Sequence, residues 1–183
     1  EGKVYYDYLG RQIQTQSRLI SENDVLATQT LYDWYGRQVL QTLPAPINQS
    51  YLCYKDKFIT NTSGNNYSNV DFNKPNYSTH PNYFVAGEVD NPKLVGNNTP
   101  GSLGWYYSDN NYDESFVATS YYPYSRVDYN DNNLGSIKRA SSAGDYLKMG
   151  RQHEAESYQM ASLNELDYFY GEDESWVVET YSD

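Results

Sequence analysis

The sequence predicts a mostly β fold, built from repeated antiparallel hairpins that are joined by long loops rich in Asn and Tyr. The composition supports this, because the chain has 22 Tyr and only 5 Phe, and amphipathic rings suit sheets with one hydrated face. An aromatic-Asp-x-x-Gly-Arg motif also occurs twice, 26 residues apart. Finally, Asn, Asp, Ser and Gly fill the gaps between aromatic clusters, and these residues favour turns.

The repeated motif predicts two hairpins within residues 1–43. "YYDYLGRQIQTQ" near the start aligns without a gap with "LYDWYGRQVLQT" further on. In each copy we expect the Asp carboxylate to accept backbone N–H bonds, the Gly to adopt a positive φ, and the Arg to begin the return strand. The residues expected to fix the turns are Tyr6, Asp7, Gly10 and Arg11 in the first copy and Tyr32, Asp33, Gly36 and Arg37 in the second.

The rest of the chain divides into two further regions. Residues 44–104 begin with prolines, which cannot donate to a β-ladder, and continue as an Asn/Pro/Tyr-rich insertion or set of loops. Residues 105–183 return to β-branched and aromatic runs and predict a further β-strip with a degenerate third copy of the motif. In that copy Asn130 replaces Asp and Ser136 replaces Arg. The stretch from Met149 to Leu166 suits a short helix or a strand.

Charge and cysteine content exclude several classes of function. The net charge of −11 repels nucleic acid and anionic lipid. No apolar run approaches the roughly 20 residues that span a bilayer, so we expect no membrane insertion. The single cysteine, Cys53, cannot form an internal disulfide, and we expect it to be a small buried apolar residue.

Residues with catalytic or metal-binding chemistry give no enzyme signature. The acidic clusters, Asp109 to Glu114 and Glu172 to Glu174, are expected to be solvated turn residues rather than a glycosidase pair. A calcium site at Asp109, Asp113 and Asp131 is the alternative, but the loops lack the EF-hand pattern. His80 and His153 have no zinc-ligand spacing. We therefore expect no enzyme activity, no metal and no cofactor.

Exposed aromatic residues give the main alternative function. Trp105, Tyr106 and Tyr107 are the first candidates for stacking on sugars, as in an extracellular carbohydrate-binding or adhesion module. The competing interpretation is that such rings form cross-strand pairs. On that interpretation Trp34, Trp105 and the run Tyr121 to Tyr124 pack the sheet.

Taken together, these motifs resemble the YD-repeat family, also called Rhs repeats. The two copies in register carry the resemblance, with "GWYYS" at 104–108 and "TSYYPYSRVDYNDNNLGSIKRASSAGDYLKMGRQHE" at 119–154. These stretches look like the region upstream of, or at the start of, the repeats in Rhs-type proteins of Bacteroidetes. The chain departs from the family at Asn130 and Ser136, and it lacks the downstream cleavage motif and a recognisable toxin domain.

The resemblance implies an architectural role. Members fold their repeats into an antiparallel strip that coils into a hollow shell, often around a C-terminal toxin. It implies a structural segment of a large secreted or cell-surface bacterial protein that acts in toxin encapsulation or delivery, or as a secretion-system substrate. The implied partners are the remainder of the same polypeptide, an encapsulated toxin domain or the secretion machinery.

The terminal segments are expected to be unprotected sheet edges. The first residue is not Met, and the last stretch resembles a strand with no closing turn, so we expect a fragment of a much larger chain. Val4 to Tyr6 and Trp176 to Tyr181 carry apolar side chains but no proline and little lysine to prevent pairing with another strand. We therefore expect neighbouring strands to pair with both segments.

Overall fold

The computed structural model describes residues 1–21, 24–72, 92–130 and 135–157, and in these residues it is a mostly antiparallel β structure. The strands are β1 (Gly2–Tyr6), β2 (Gln12–Leu19), β3 (Asp24–Tyr32), β4 (Gln38–Thr42), β5 (Ala45–Pro46), β6 (Tyr124–Tyr129), β7 (Ile137–Ser141) and β8 (Ala155–Glu156). The described part of the chain also contains two one-turn helices, α1 (Asn69–Phe72) and α2 (Leu103–Tyr106). The predicted mostly β fold class is confirmed.

In the described residues the strands form an open sheet in the order β1-β2-β3-β4-β6-β7-β8, with β5 paired to β3. β4 and β5 pair with successive parts of β3 and are separated by Leu43 and Pro44. The Leu43 N–H donates to the Pro123 carbonyl instead of to β3. The prolines therefore interrupt the strand, as expected, but pairing with β3 resumes at Ala45 and Pro46.

The loops between β5 and β6 cover one face of the sheet and complete the hydrophobic core. The sheet contributes Val25, Ala27, Leu31 and Leu40 to this core. The loops contribute Ile47, Phe58, Ile59, Tyr67, Phe72, Val95 and Leu103. Close contact between loop segments depends on two glycines, since a Cβ at Gly96 would overlap the Asn61 carbonyl and one at Gly104 would overlap the Gly96 carbonyl.

Two buried glutamines on β2 hold a loop segment against the sheet. The Gln14 amide donates to the Lys55 carbonyl at 3.0 Å and accepts from the Lys55 N–H at 2.9 Å. The Gln16 amide donates to the Cys53 carbonyl at 2.7 Å and to the Gln14 side chain at 2.9 Å. The Gln14 side chain thus bonds to the loop backbone as a neighbouring strand would, which explains how this amide is buried. Gln16 uses only its N–H groups, and its buried side-chain oxygen has no hydrogen-bond partner among the described residues.

The structure corrects three expectations about side-chain placement. Cys53 is exposed, because the backbone of its segment, rather than its side chain, is bonded to the sheet. Trp34 does not pack the sheet; it lies at a turn and is 71% exposed. Tyr121 is also exposed, whereas Tyr122 and Tyr124 are buried. The predicted edge strand Trp176 to Tyr181 lies outside the described residues.

Candidate functional site

The first copy of the motif forms a tight turn between β1 and β2. The Asp7 N–H donates to the Arg11 carbonyl at 2.9 Å, and the Gly10 N–H donates to the Asp7 carbonyl at 3.0 Å. One oxygen of the Asp7 carboxylate accepts from the N–H groups of Leu9 and Arg11, each at 2.9 Å. The other oxygen accepts from the Arg11 guanidinium at 2.7 Å. Gly10 has a φ of 76°.

The second copy, between β3 and β4, repeats this geometry bond for bond. The Asp33 carboxylate accepts from the N–H groups of Tyr35 and Arg37 at 2.9 and 2.8 Å and from the Arg37 Nε at 2.7 Å. Gly36 has a φ of 78°. The paired side chains are less exposed than in the first copy, with the Asp33 side chain only 6% exposed. The eight residues singled out for the turns thus form two matching turns.

The same turn occurs a further time in the loops, without an acid or an arginine. Asn61 takes the place of Asp, and its side-chain oxygen accepts from the N–H groups of Ser63 and Asn65, each at 3.0 Å. Gly64 takes the glycine position with a φ of 79°, and Asn65 replaces Arg. Its signal in the sequence is "NTSGNN", which has Asn and Gly at the motif spacing but lacks the acid, the arginine and the flanking aromatic residues of the two copies. Since Asn61 forms this turn, an Asp–Arg ion pair is not required for the backbone geometry.

The degenerate third copy lies between β6 and β7, and its Asn130 and Ser136 are six positions apart, compared with four for Asp7 and Arg11. The Asn130 N–H donates to the Ser136 carbonyl at 2.9 Å, and the Asn130 side chain donates to the Ser136 hydroxyl at 3.0 Å. Gly135 again has a positive φ, of 65°. The neutral Asn–Ser pair thus stands where the other two hairpins have a charged Asp–Arg pair.

All three hairpins also contain the same β-bulge beside the turn. The pairing shifts by one residue at Tyr6, at Tyr32 and at Tyr129, each of which immediately precedes the Asp or Asn of its turn. A bulge increases the local twist and redirects nearby side chains. The three tyrosines therefore occupy equivalent positions, and the pairing register of the third copy matches that of the first two.

The arginine of the first hairpin contacts the tyrosine of the second. The Arg11 guanidinium lies 4.7 Å from the centroid of the Tyr32 ring, a cation–π contact. The Tyr32 hydroxyl donates to the Gln12 carbonyl at 2.8 Å. Desolvation raises the pKa of Tyr32, opposed by the positive charge of Arg11, so the hydroxyl remains a donor at neutral pH.

The second and third hairpins make the same contact. The Arg37 guanidinium lies 4.4 Å from the Tyr129 ring centroid, and the Tyr129 hydroxyl donates to the Gln38 carbonyl at 2.7 Å. Arg37 also lies over the Tyr35 ring at 4.9 Å. Each arginine therefore closes its own turn and binds the tyrosine of the next hairpin. We call the set Arg11, Tyr32, Arg37 and Tyr129, with the carboxylates Asp7 and Asp33, the Arg–Tyr column.

Tyr6 is the one motif tyrosine of the described hairpins that is largely exposed. Its side chain is 61% exposed, whereas Tyr32 and Tyr129 are half-buried. It lies on β1, the first strand in the order of the sheet. At the other end of the column, Ser136 takes the place of an arginine.

The aromatic residues proposed for ligand stacking lie at a helix rather than on a strand, since Trp105 and Tyr106 belong to α2 and Tyr107 is its C-cap. The Tyr106 hydroxyl donates to the Glu114 carboxylate at 2.7 Å, and the Tyr107 hydroxyl donates to the Pro44 carbonyl at 2.8 Å. Desolvation, followed by the Glu114 interaction, raises the pKa of Tyr106. Trp105 is half-buried in the same turn. The two tyrosine hydroxyls are thus used in internal contacts.

The acidic and histidine candidates are not brought together into a metal site. Asp109 accepts from the Thr119 hydroxyl at 3.1 Å, and His153 stacks on Tyr146. In the described ranges, no group of three or more His, Cys, Asp or Glu side chains is arranged to hold a metal ion. In the same ranges, no helix is long and apolar enough to cross a bilayer. Residues His80, Asp131, Glu172, Asp173 and Glu174 lie outside the described part of the chain.

Comparison with known proteins gives one family. The model for DUF6443, a domain of unknown function, matches residues 1–94, which is just over half of the chain. The chain belongs to the DUF6443 family. No curated protein and no solved structure matches it.

The matched part of this DUF6443 chain contains the first two hairpins and the Asn61 turn. The third hairpin, at Asn130 to Ser136, lies outside the match. The Arg–Tyr column thus begins inside the DUF6443 match and continues beyond it.

Valine at Gly36 should destabilise the chain by about 1–2 kcal/mol, because a β-branched residue is strained at positive φ. Gly36 has a φ of 78°, and an added Cβ would only touch the Arg11 side chain at 3.4 Å. Gly10→Val is the matched comparison, with a φ of 76° and open space around the Cβ. Urea denaturation should give similar losses for both variants. A neutral Gly36→Val would contradict the assigned turn.

Acid should loosen the first turn as Asp7 becomes protonated. Desolvation acts to raise the pKa of Asp7, but hydrogen bonds from Arg11 and Leu9 outweigh it and hold the pKa below its ordinary value. A carboxylate whose pKa is lowered on folding stabilises the folded state when the pH is above the pKa that the group has in the unfolded chain. This contribution is lost as the pH falls through the pKa of the group in the folded state. Hydrogen exchange at the Arg11 amide should therefore accelerate, beyond its intrinsic pH dependence, below about pH 4.

Asp7→Asn is the control for this acid response. Asn61 shows that an amide oxygen accepts the same two backbone bonds. The variant should keep the turn but lose the pH-dependent step in the protection of the Arg11 amide. If the step persisted in Asp7→Asn, another group would be responsible.

Proposed function

We propose that this chain is a non-enzymatic, architectural segment of a large secreted or cell-surface bacterial protein of the Rhs/YD-repeat type. In this role the segment forms part of the wall of a coiled β-strip. Such a wall encloses or delivers a toxin domain, or is carried by secretion machinery, and its first partner is the rest of its own polypeptide.

The Arg–Tyr column is the observation that carries this proposal. Arg11 and Arg37 each bind an acid in their own hairpin and a tyrosine in the next one. A contact of this kind sets the register between neighbouring hairpins, and a protein that extends a sheet by repeated hairpins needs it at every step. A catalytic site would instead require reactive groups converging on a substrate.

The loops support the same role. They cover one face of the sheet and make the core there, so that the segment has one buried face and one hydrated face rather than two buried faces. On the opposite face, Thr15 pairs with Thr28, and both side chains are partly exposed. A polar face of this kind suits the wall of a water-filled shell.

The size and shape of the native protein test the proposal. The product isolated from cells that make it should be much larger than the 21.1 kDa of this segment, and electron microscopy should show a hollow particle with β-strip walls. A native product that is a 21.1 kDa monomer would contradict it.

A carbohydrate-binding or adhesion module is the alternative, and it rests on the aromatic residues of α2. The hydroxyls of Tyr106 and Tyr107 already bond to Glu114 and Pro44, which leaves fewer polar groups to orient a sugar. A glycan array should therefore show no binding. Binding that is lost in Trp105→Ala but kept in Phe116→Ala, at a position 97% exposed, would favour the alternative.

A further inference from the structure

We infer that β1 is a docking edge for the return strand of another Asp-x-x-Gly-Arg hairpin, and that Tyr6 is the residue that recognises its arginine. This inference rests on the proposed architectural function and names the chemistry of the partner. The partner is an antiparallel strand that begins with an arginine immediately after the glycine of its turn.

The first step of the argument is the free edge of β1. The backbone hydrogen bonds of Glu1 and Asp7 are made with the side of β2. The Glu1 carbonyl accepts from the Arg18 N–H, and the Asp7 N–H donates to the Arg11 carbonyl. Because ladder groups alternate along an antiparallel strand, those of Gly2, Val4 and Tyr6 point the other way. β1 has only β2 as a neighbour in the described sheet, so these groups are available to a further strand.

The second step is the equivalence of Tyr6 with two tyrosines whose partners are visible. Tyr6, Tyr32 and Tyr129 each sit at the same bulge, directly before a turn. Tyr32 and Tyr129 each lie under a guanidinium, at 4.7 and 4.4 Å, and each hydroxyl donates to the carbonyl of the residue after that arginine. The strand that supplies both groups is the preceding neighbour in the sheet. Tyr6 offers the same ring and hydroxyl to the strand that would precede β1.

The third step separates recognition of the arginine from formation of the turn. The Asn61 turn has the same backbone bonds with Asn65 in the arginine position. An arginine is therefore unnecessary for a hairpin to form, and its recurrence in Arg11 and Arg37 is explained by the contact with the next hairpin. A second copy of β1 does not fit as the partner, because residues 2–6 contain no arginine.

A tandem chain tests the inference. A second copy of residues 1–26 is fused in front of Glu1, so that its arginine precedes Tyr6 by the 21 residues that separate Arg11 from Tyr32. Hydrogen exchange is then measured at the amides of Val4 and Tyr6. These should exchange rapidly in the original chain and at least roughly tenfold more slowly in the tandem chain, because the added strand pairs with them.

Three variants of the tandem chain distinguish a specific arginine contact from simple strand pairing. Replacing the added arginine with glutamine should reduce the protection of the Val4 and Tyr6 amides roughly two- to fivefold. This factor corresponds to the free energy of an exposed cation–π contact. Tyr6→Ala should reduce the hydrogen-exchange protection of the Val4 amide by a similar factor. Tyr8→Ala, which alters a turn residue that is 93% exposed, should leave the protection unchanged.

Each other outcome overturns the inference. Protection of Val4 and Tyr6 in the original chain would mean that the edge is already covered. Equal exchange in the tandem and original chains would mean that β1 does not accept this strand. Equal protection with arginine and glutamine would mean that Tyr6 does not read the arginine. None of these results decides the size or shape of the native protein, so the proposed function is tested independently.

Discussion

Replacing Phe58 with alanine should lower the free energy of unfolding by about 3–5 kcal/mol, the usual cost of removing a buried phenylalanine ring. Phe58 is 1% exposed and belongs to the core between the loops and the sheet. Its carbonyl also accepts from the Leu103 N–H at 2.8 Å, which ties two loop segments together. Because small domains have about 5–15 kcal/mol of stability in total, this single change should bring the chain close to unfolding.

The measurement also decides whether residues 44–104 are an independent insertion. If the loops and the sheet form one cooperative unit, Phe58→Ala should lower the midpoint of urea denaturation equally whether unfolding is monitored by circular dichroism or by tryptophan fluorescence. Phe116→Ala is the matched control, since Phe116 is 97% exposed, and it should change stability by less than about 0.5 kcal/mol. A sheet transition unaffected by Phe58→Ala would mean that the loops fold separately.

The hairpins were predictable because their signals are local. Asp7, Gly10 and Arg11 lie within five residues, and the carboxylate, the positive φ and the start of the return strand all act within that span. The same logic applied to Asn61 and Gly64 would have predicted the loop turn. The surrounding Asn-rich composition hides this turn, because it equally suits irregular loop.

The contacts between hairpins were not predictable in the same way. Arg11 and Tyr32 are 21 residues apart, and Arg37 and Tyr129 are separated by 92. Only the strand order, which places β4 beside β6 across the whole loop region, brings Arg37 and Tyr129 together. The local sequence favours hairpins but does not determine which hairpins become neighbours.

Burial was the least predictable property, because it depends on the loop layer. Gln14 and Gln16 alternate along β2 as a strand pattern requires, but their amides are buried only because residues 53–55 cross over them. Trp34 follows Asp33 in the turn, so its position beyond the end of the strand leaves the ring exposed despite its apolar character. A hydrophobicity pattern alone predicts the opposite for all three side chains.

Alanine in place of Arg37 should destabilise the chain by about 2–3 kcal/mol, because it leaves a nearly buried carboxylate without its ion-pair partner. The Asp33 side chain is 6% exposed, and Arg37 Nε lies 2.7 Å from its carboxylate. The variant also loses the contacts of the guanidinium with the rings of Tyr35 and Tyr129. Urea denaturation of the purified variant measures the total loss.

Arg11→Ala provides the comparison for this variant. The Asp7 side chain is 13% exposed, and the Arg11 guanidinium lies over one ring, that of Tyr32, rather than two. The carboxylate left behind is better solvated, so the loss should be smaller than in Arg37→Ala. Equal losses would mean that burial of the acid does not set the cost.

A double-mutant cycle isolates the part of this loss that belongs to the contact between hairpins. Arg37→Gln and Tyr129→Leu should each destabilise the chain, and the double variant should lose about 0.5–1 kcal/mol less than the sum of the two, since a cation–π contact can be lost only once. The ion pair with Asp33 is broken both in Arg37→Gln and in the double variant, so its loss cancels from the coupling free energy between Arg37 and Tyr129. Additive losses would mean that Arg37 acts only within its own turn, and the Arg–Tyr column would then have no role in setting the register between hairpins.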